Sequence, residues 1–158
     1  MSVKVTIYDK QKKFKMNAEI RKLIRKACSA ALRSEEFTGN AEIDVSIVDD
    51  EAIREINREC RNIDFATDVL SFPLGDNGVY DVNPATGAYM LGDVVLSAEH
   101  ADMQAKLYGH AIEREIAYLT VHSVLHLLGF DHVNSESEKT IMRTKEEKIM
   151  KILNLERN

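Results

Sequence analysis

Residues 110–132 read HAIEREIAYLTVHSVLHLLGFDH. Ile112, Ile116, Leu119, Val121, Leu125 and Leu128 recur there at helical spacing, which predicts a helix over 110–128. Its second half is apolar on most sides, so the helix should be central and buried. Gly129 follows where a left-handed residue commonly ends a helix. Three of the five histidines, His122, His126 and His132, fall inside this segment. His122 and His126 stand four apart, so both imidazoles leave one face with Cβ atoms about 6 Å apart. Two nitrogens so placed can share a zinc ion at about 2.0–2.1 Å each. A reversal at Gly129 would let the returning loop bring His132 toward the same ion. Three protein ligands leave a fourth tetrahedral position for water, the catalytic arrangement rather than the closed structural one. Zinc brings the pKa of such a water near 7 and polarises phosphoryl or carbonyl oxygens, so hydrolysis is the chemistry implied. A lone histidine is ordinarily a packed or solvated residue, and His100 and His110 are read that way.

Outward from this helix, residues 3–8 alternate at Val3, Val5 and Ile7, and residues 41–48 at Ile43, Val45 and Ile47, the period of strands. Between them Asn17 caps a helix that places Ile20, Leu23, Ile24, Ala27 and Ala31 on one face. Asp49 or Asp50 caps a short helix carrying Ile53 and Ile56. Residues 67–72 form a short strand stopped by Pro73, and 90–96 a fourth strand. Gly75, Asn77, Gly78, Pro84 and Gly87 mark the stretch between them as a loop or irregular hairpin. Ser97 caps a helix running to about Tyr108, where Gly109 breaks it. Ser135 and Glu138 form a capping box for a last helix, expected to pack through Ile141, Met142, Ile149 and Ile152. This order predicts an α+β fold: a single domain over 1–158, with a mixed sheet of about four strands packed against helices and a central buried metal-binding helix.

The bulk numbers agree. A chain of 158 residues, 44% hydrophobic and 30% charged, is ordinary for one soluble domain. No apolar run approaches the roughly 20 residues of a membrane span, and MSVKVTIYDK lacks the apolar core of a signal peptide, so no membrane partner and a cytoplasmic location are expected. Cys28 and Cys60 are read as reduced thiols, Cys28 within a core-facing helical pattern. The net charge of −5 is unevenly spread. Residues 1–33 hold ten Lys or Arg against only Asp9 and Glu19, a net of +8. Taken alone, such a segment is an ordinary solvated helix face.

The spacing H-x-x-x-H-x-x-G-x-x-H is also that of the metzincin metallopeptidases, H-E-x-x-H-x-x-G-x-x-H. Those enzymes need a glutamate after the first histidine as general base, and this chain has Ser123. The metal-binding half is present and the peptide-cleaving half is missing. A phosphodiester whose neighbouring 2′-hydroxyl takes part is a substrate that manages without that carboxylate.

HSVLHLLGFDH, residues 122–132, resembles the signature of the YbeY-type endoribonucleases. INRECRNIDFATDVLSFP, residues 56–73, and LGDVVLS, residues 91–97, resemble two further segments of that family in the same order. The likeness spans about residues 43–153 and is weaker in the N-terminal third. Ser123 departs from the glycine often found there, but both are small. The resemblance implies a single-strand-directed endoribonuclease acting in 16S rRNA 3′ end maturation and ribosome quality control. It implies RNA and the ribosome or its small subunit as partners, and Zn2+ or a similar divalent ion on His122, His126 and His132. Arg61 corresponds to the family's arginine, and Arg61 and His122 are the expected catalytic residues. Guanidinium is permanently charged and grips phosphate bidentately, and Arg61 is expected on a loop before the 67–72 strand. Asp131 either orients an imidazole or caps the loop; Asp68 carries the same two readings, the structural one favoured; Ser71 either meets substrate or serves the sheet. No side chain identifies itself as the general base. With an RNA substrate, Lys10, Lys12, Lys13, Lys15, Arg21, Lys22, Arg25 and Lys26 would track phosphates. Two alternatives stand beside this reading: a metal-dependent hydrolase of another substrate, and a non-catalytic ribosome-associated module with a structural metal.

Overall fold

In the computed structural model, residues 1–130 and 135–156 are described. The chain order is β1 Val3–Asp9, α1 Ala18–Ser34, β2 Ala41–Val48, α2 Asp50–Arg61, β3 Val69–Pro73, β4 Tyr89–Ser97, α3 Ala98–Tyr108, α4 Ile112–Leu127 and α5 Glu136–Ile152. The four strands form one sheet in the order β1-β2-β4-β3. β1, β2 and β4 run parallel and β3 pairs antiparallel with β4, giving the mixed α+β sheet expected. Each crossover between parallel neighbours carries a helix, as parallel pairing requires.

Strand alternation sorts the side chains. Ala41, Ile43, Val45 and Ile47 of β2 are buried in the main core beneath α1 and α4, while Asp44 points the other way. In β4 the parity changes: Leu91 joins the main core, and so do Val94 and Leu96. The pairing with β2 slips at this point, Glu42 facing Met90 and Ile43 facing Gly92. The extra residue is a bulge that puts Leu91 and Val94 on one face. Gly92 permits it, with φ of +144°, and a Cβ there would lie 2.3 Å from the Phe72 carbonyl oxygen. On the opposite face α2 covers one end of the sheet through Ile53, against Val48, Leu70 and Val95. Cys28 is fully buried in α1, and burial pushes its thiol up to about 12, as befits an inert core residue; Cys60 is exposed.

α4 is the central element, packed on α1, α3, α5, β3 and β4. It begins at Ile112, two residues later than the sequence suggests. Its end is a Schellman turn: Phe130 N–H donates to the Leu125 carbonyl and Gly129 N–H to that of His126, with Gly129 at φ +99°. The Tyr80 hydroxyl, from the irregular loop between β3 and β4, donates to the Leu127 carbonyl at 2.6 Å and ties that loop to the same helix end. The last helix meets expectation at Met142 and Ile149 and departs from it at Ile141 and Ile152. α5 buries Met142, Glu146, Ile149 and Met150, while Ile141 and Ile152 are exposed. No helix of the described residues is long and apolar enough to cross a membrane.

Candidate active site

From Leu119 to Leu127 every residue of α4 is buried except His122 and His126, which are half-buried. They interrupt the apolar wall where a cavity of about 730 Å³ opens between α4 and β3. One helical turn brings their Nε2 atoms to 3.1 Å, with the rings nearly perpendicular at 77°. Tetrahedral zinc with two nitrogens at about 2.05 Å would set those nitrogens about 3.3 Å apart, so the donor pair fits one ion.

The proton placement fits as well. His122 Nδ1 is hydrogen-bonded to Glu146 Oε2 of α5, and the other oxygen of that carboxylate accepts from the Tyr118 hydroxyl at 3.2 Å. A carboxylate partner holds the proton on Nδ1, which aims the Nε2 lone pair at the cavity. The Tyr118 ring stacks on His122 at 6.1 Å. Burial, then the Glu146 carboxylate, push the Tyr118 phenol well above its ordinary range, so it stays a donor to Glu146.

Arg61 lines the same cavity as the two histidines. It is the last residue of α2 rather than a loop residue, because Asn62 in the left-handed conformation ends the helix only after it. The loop that follows is pinned: Asn57 donates from its buried amide to the Phe65 carbonyl at 3.0 Å, and Arg54 pairs with Asp64 at 2.9 Å. Asp68, which also lines the histidine cavity, accepts from Val69 N–H at 2.7 Å and from Gln104 at 3.3 Å. Gln104 also reaches Glu115, which holds His110 at 2.6 Å; His100 lies against Asp50. Both histidines are thus engaged away from the cavity. Ser71 and Ser123 share a hydrogen bond that joins β3 to α4, so Ser123 turns toward the strand.

His132 and Asp131 lie outside the described residues. Among the described residues no three His, Cys, Asp or Glu side chains make a metal site. The structure therefore brings together His122, His126 and Arg61, and adds Glu146 and Tyr118, which the sequence reading missed. A signal for Glu146 was present: it occupies the apolar stripe of α5, four residues after Met142 and three before Ile149.

Comparison with known proteins agrees with this picture. The family model described as Endoribonuclease YbeY matches residues 6–154. An Endoribonuclease YbeY of Clostridium botulinum strain Hall is 44% identical, covering 97% of this chain and 99% of its own. That of Caldanaerobacter subterraneus is 49% identical over 85% of this chain and 88% of its own. The solution structure of TM1509 from Thermotoga maritima superposes with a TM-score of 0.59 at 22% identity, over 95% of this chain and 91% of that one, a likeness of fold.

Proposed function

This chain belongs to the Endoribonuclease YbeY family, and from that premise we propose that it cleaves single-stranded RNA with a divalent metal, zinc foremost, held by His122, His126 and His132. The observation that carries the reading is the 3.1 Å approach of two Nε2 atoms at the wall of a cavity that Arg61 also lines. A metal at those nitrogens would supply Lewis acidity and lower the pKa of water near neutral pH. The protein's own groups do the rest. Glu146 holds the proton of His122 on Nδ1, and Tyr118 holds Glu146. Arg61 binds the scissile phosphate or stabilises its developing charge. Leu119 and Leu70 give the cavity an apolar stretch of wall beside the histidines. The substrate proposed is ribosomal RNA, in 16S 3′ end maturation and ribosome quality control, in the cytoplasm and at the small subunit. The open cavity beside the histidines disfavours a closed structural site. Ser123, facing β3, disfavours a peptidase.

The test is metal analysis of the purified chain together with cleavage of single-stranded RNA. Wild type should carry about one ion and cut; His126→Ala should lose both. Arg61→Ala should keep the metal and lose about 10²–10³ in rate, the usual cost of one charge-stabilising donor. Full cleavage by a metal-loaded Arg61→Ala variant would remove Arg61 from the mechanism, and cleavage that persisted in His126→Ala would remove the metal site.

A further inference from the structure

A second cavity of about 730 Å³ runs between α1 and α5, away from the histidines. Lys22, Arg25, Lys26, Arg33 and Lys148 line it, against a single acid, Glu36. We propose that this groove binds the phosphate backbone of single-stranded RNA flanking the cleavage site, an inference that rests on the nuclease reading above.

Four observations carry it. Among the described residues none of the five bases is ion-paired, whereas Lys13, Arg54, Lys106 and Lys145 elsewhere each meet a carboxylate. The α1 bases repel one another at helical-neighbour spacings, Lys22 with Lys26 and Arg25, in a chain whose net charge is −5. Positive charge kept together at such a cost fits a polyanion. Lys22 to Arg33 spans eleven residues, or about 16 Å of helix, a length suited to several consecutive phosphates. No aromatic side chain of the described residues lines the groove, so it offers charge without base stacking and would read backbone rather than sequence.

The groove adjoins the histidine cavity through a third cavity. Lys148 lines a further cavity of about 740 Å³ on the other side of α5, and that cavity shares Asp68, Tyr118 and Leu119 with the histidine cavity. The groove and the histidine cavity are thus linked through a cavity whose lining mixes the bases Arg114, Arg143, Lys148 and Lys151 with five acids, Asp68 and Glu146 among them.

The experiment measures binding of a 30-nucleotide unstructured RNA to full-length His126→Ala protein, with and without Lys22→Gln, Arg25→Gln and Lys26→Gln together. All three residues are exposed, and circular dichroism checks the fold. Single strands give a slope of log affinity against log salt of about −0.7 per neutralised phosphate, so losing three contacts should make the slope shallower by about 2. From 50 to 200 mM salt the five contacts together weaken binding about 100-fold, and the remaining two only about 7-fold. The charge-preserving variant Lys22→Arg, Arg25→Lys, Lys26→Arg should keep the wild-type slope. An unchanged slope in the glutamine variant would overturn the proposal. So would an unchanged slope accompanied by lost co-sedimentation with ribosomal subunits, which would assign the groove to an acidic protein surface. The readout is binding, so a wild type that bound RNA without cutting it would end the nuclease reading and leave the groove standing.

Discussion

Glu146 accepts from His122 Nδ1 and from the Tyr118 hydroxyl, and it is buried beside both. Carboxylates placed behind a metal-binding imidazole fix its tautomer and raise its basicity, and their loss typically weakens metal binding 10–100-fold. Glu146→Ala should therefore lower zinc affinity about 10- to 100-fold while the chain stays folded, as read by competition with a chromophoric chelator and by far-ultraviolet circular dichroism. An affinity equal to wild type would reduce Glu146 to a packing residue. At this scale the sequence shows the proposed ligands better than the residues that support them. His122 and His126 are legible because helical geometry fixes the relation of residues four apart. Glu146 approaches from another helix, 24 residues away, and no local rule joins it to His122. Only its place in an apolar stripe marked it. Arg61 was legible through family likeness alone, because an exposed arginine at a helix end has the same local signature as a solvated one.

The α4 terminus is where an element's geometry decides the site. Gly129 sits at φ +99°, and a Cβ built there meets nothing within 4 Å, so a substitution strains the backbone alone. Gly129→Ala should cost about 1–2 kcal/mol and Gly129→Asn less, since asparagine tolerates the left-handed region. Urea midpoints of the two variants against wild type measure this, and an alanine variant as stable as wild type would refute the cap. α1 and β1 could be placed from periodicity because each buries one face, and α4 and β4 from nearly continuous apolar runs that are buried on most sides. Two features could not. The bulge at Gly92 arises from the pairing of β4 with β2 and β3, and no single strand's pattern encodes it. On α5 Met142 and Ile149 lie in the core as expected, but Ile141 and Ile152, which look like core residues, do not, and the face that meets α4 includes the charged Glu146.

Across the whole molecule, like charges also meet within the sheet. On the sheet face away from α1 and α4, Asp93 stands opposite Asp44 in register. Burial, then the Asp44 charge, raise the Asp93 carboxyl above its usual range, with Lys10 opposing. A raised carboxyl pKa means that the folded state binds the proton more tightly than the unfolded one, so stability falls as pH rises through that window. Asp93→Asn should therefore stabilise the fold at pH 7 by about 0.5 kcal/mol, the scale of a like-charged cross-strand pair, and the gain should vanish as pH falls below the ordinary carboxylate pKa. A gain independent of pH would contradict that origin. The α+β architecture, the family and its nuclease class were all legible in the sequence, because three motifs in order and a central apolar helix specify them. The convergence of the third histidine is the claim on which the proposed chemistry rests. X-ray absorption at the zinc edge of the metal-loaded chain tests it most directly. Three imidazole nitrogens at about 2.0–2.1 Å and one solvent oxygen are expected. Two imidazoles, or a fourth protein ligand in place of solvent, would contradict the claim.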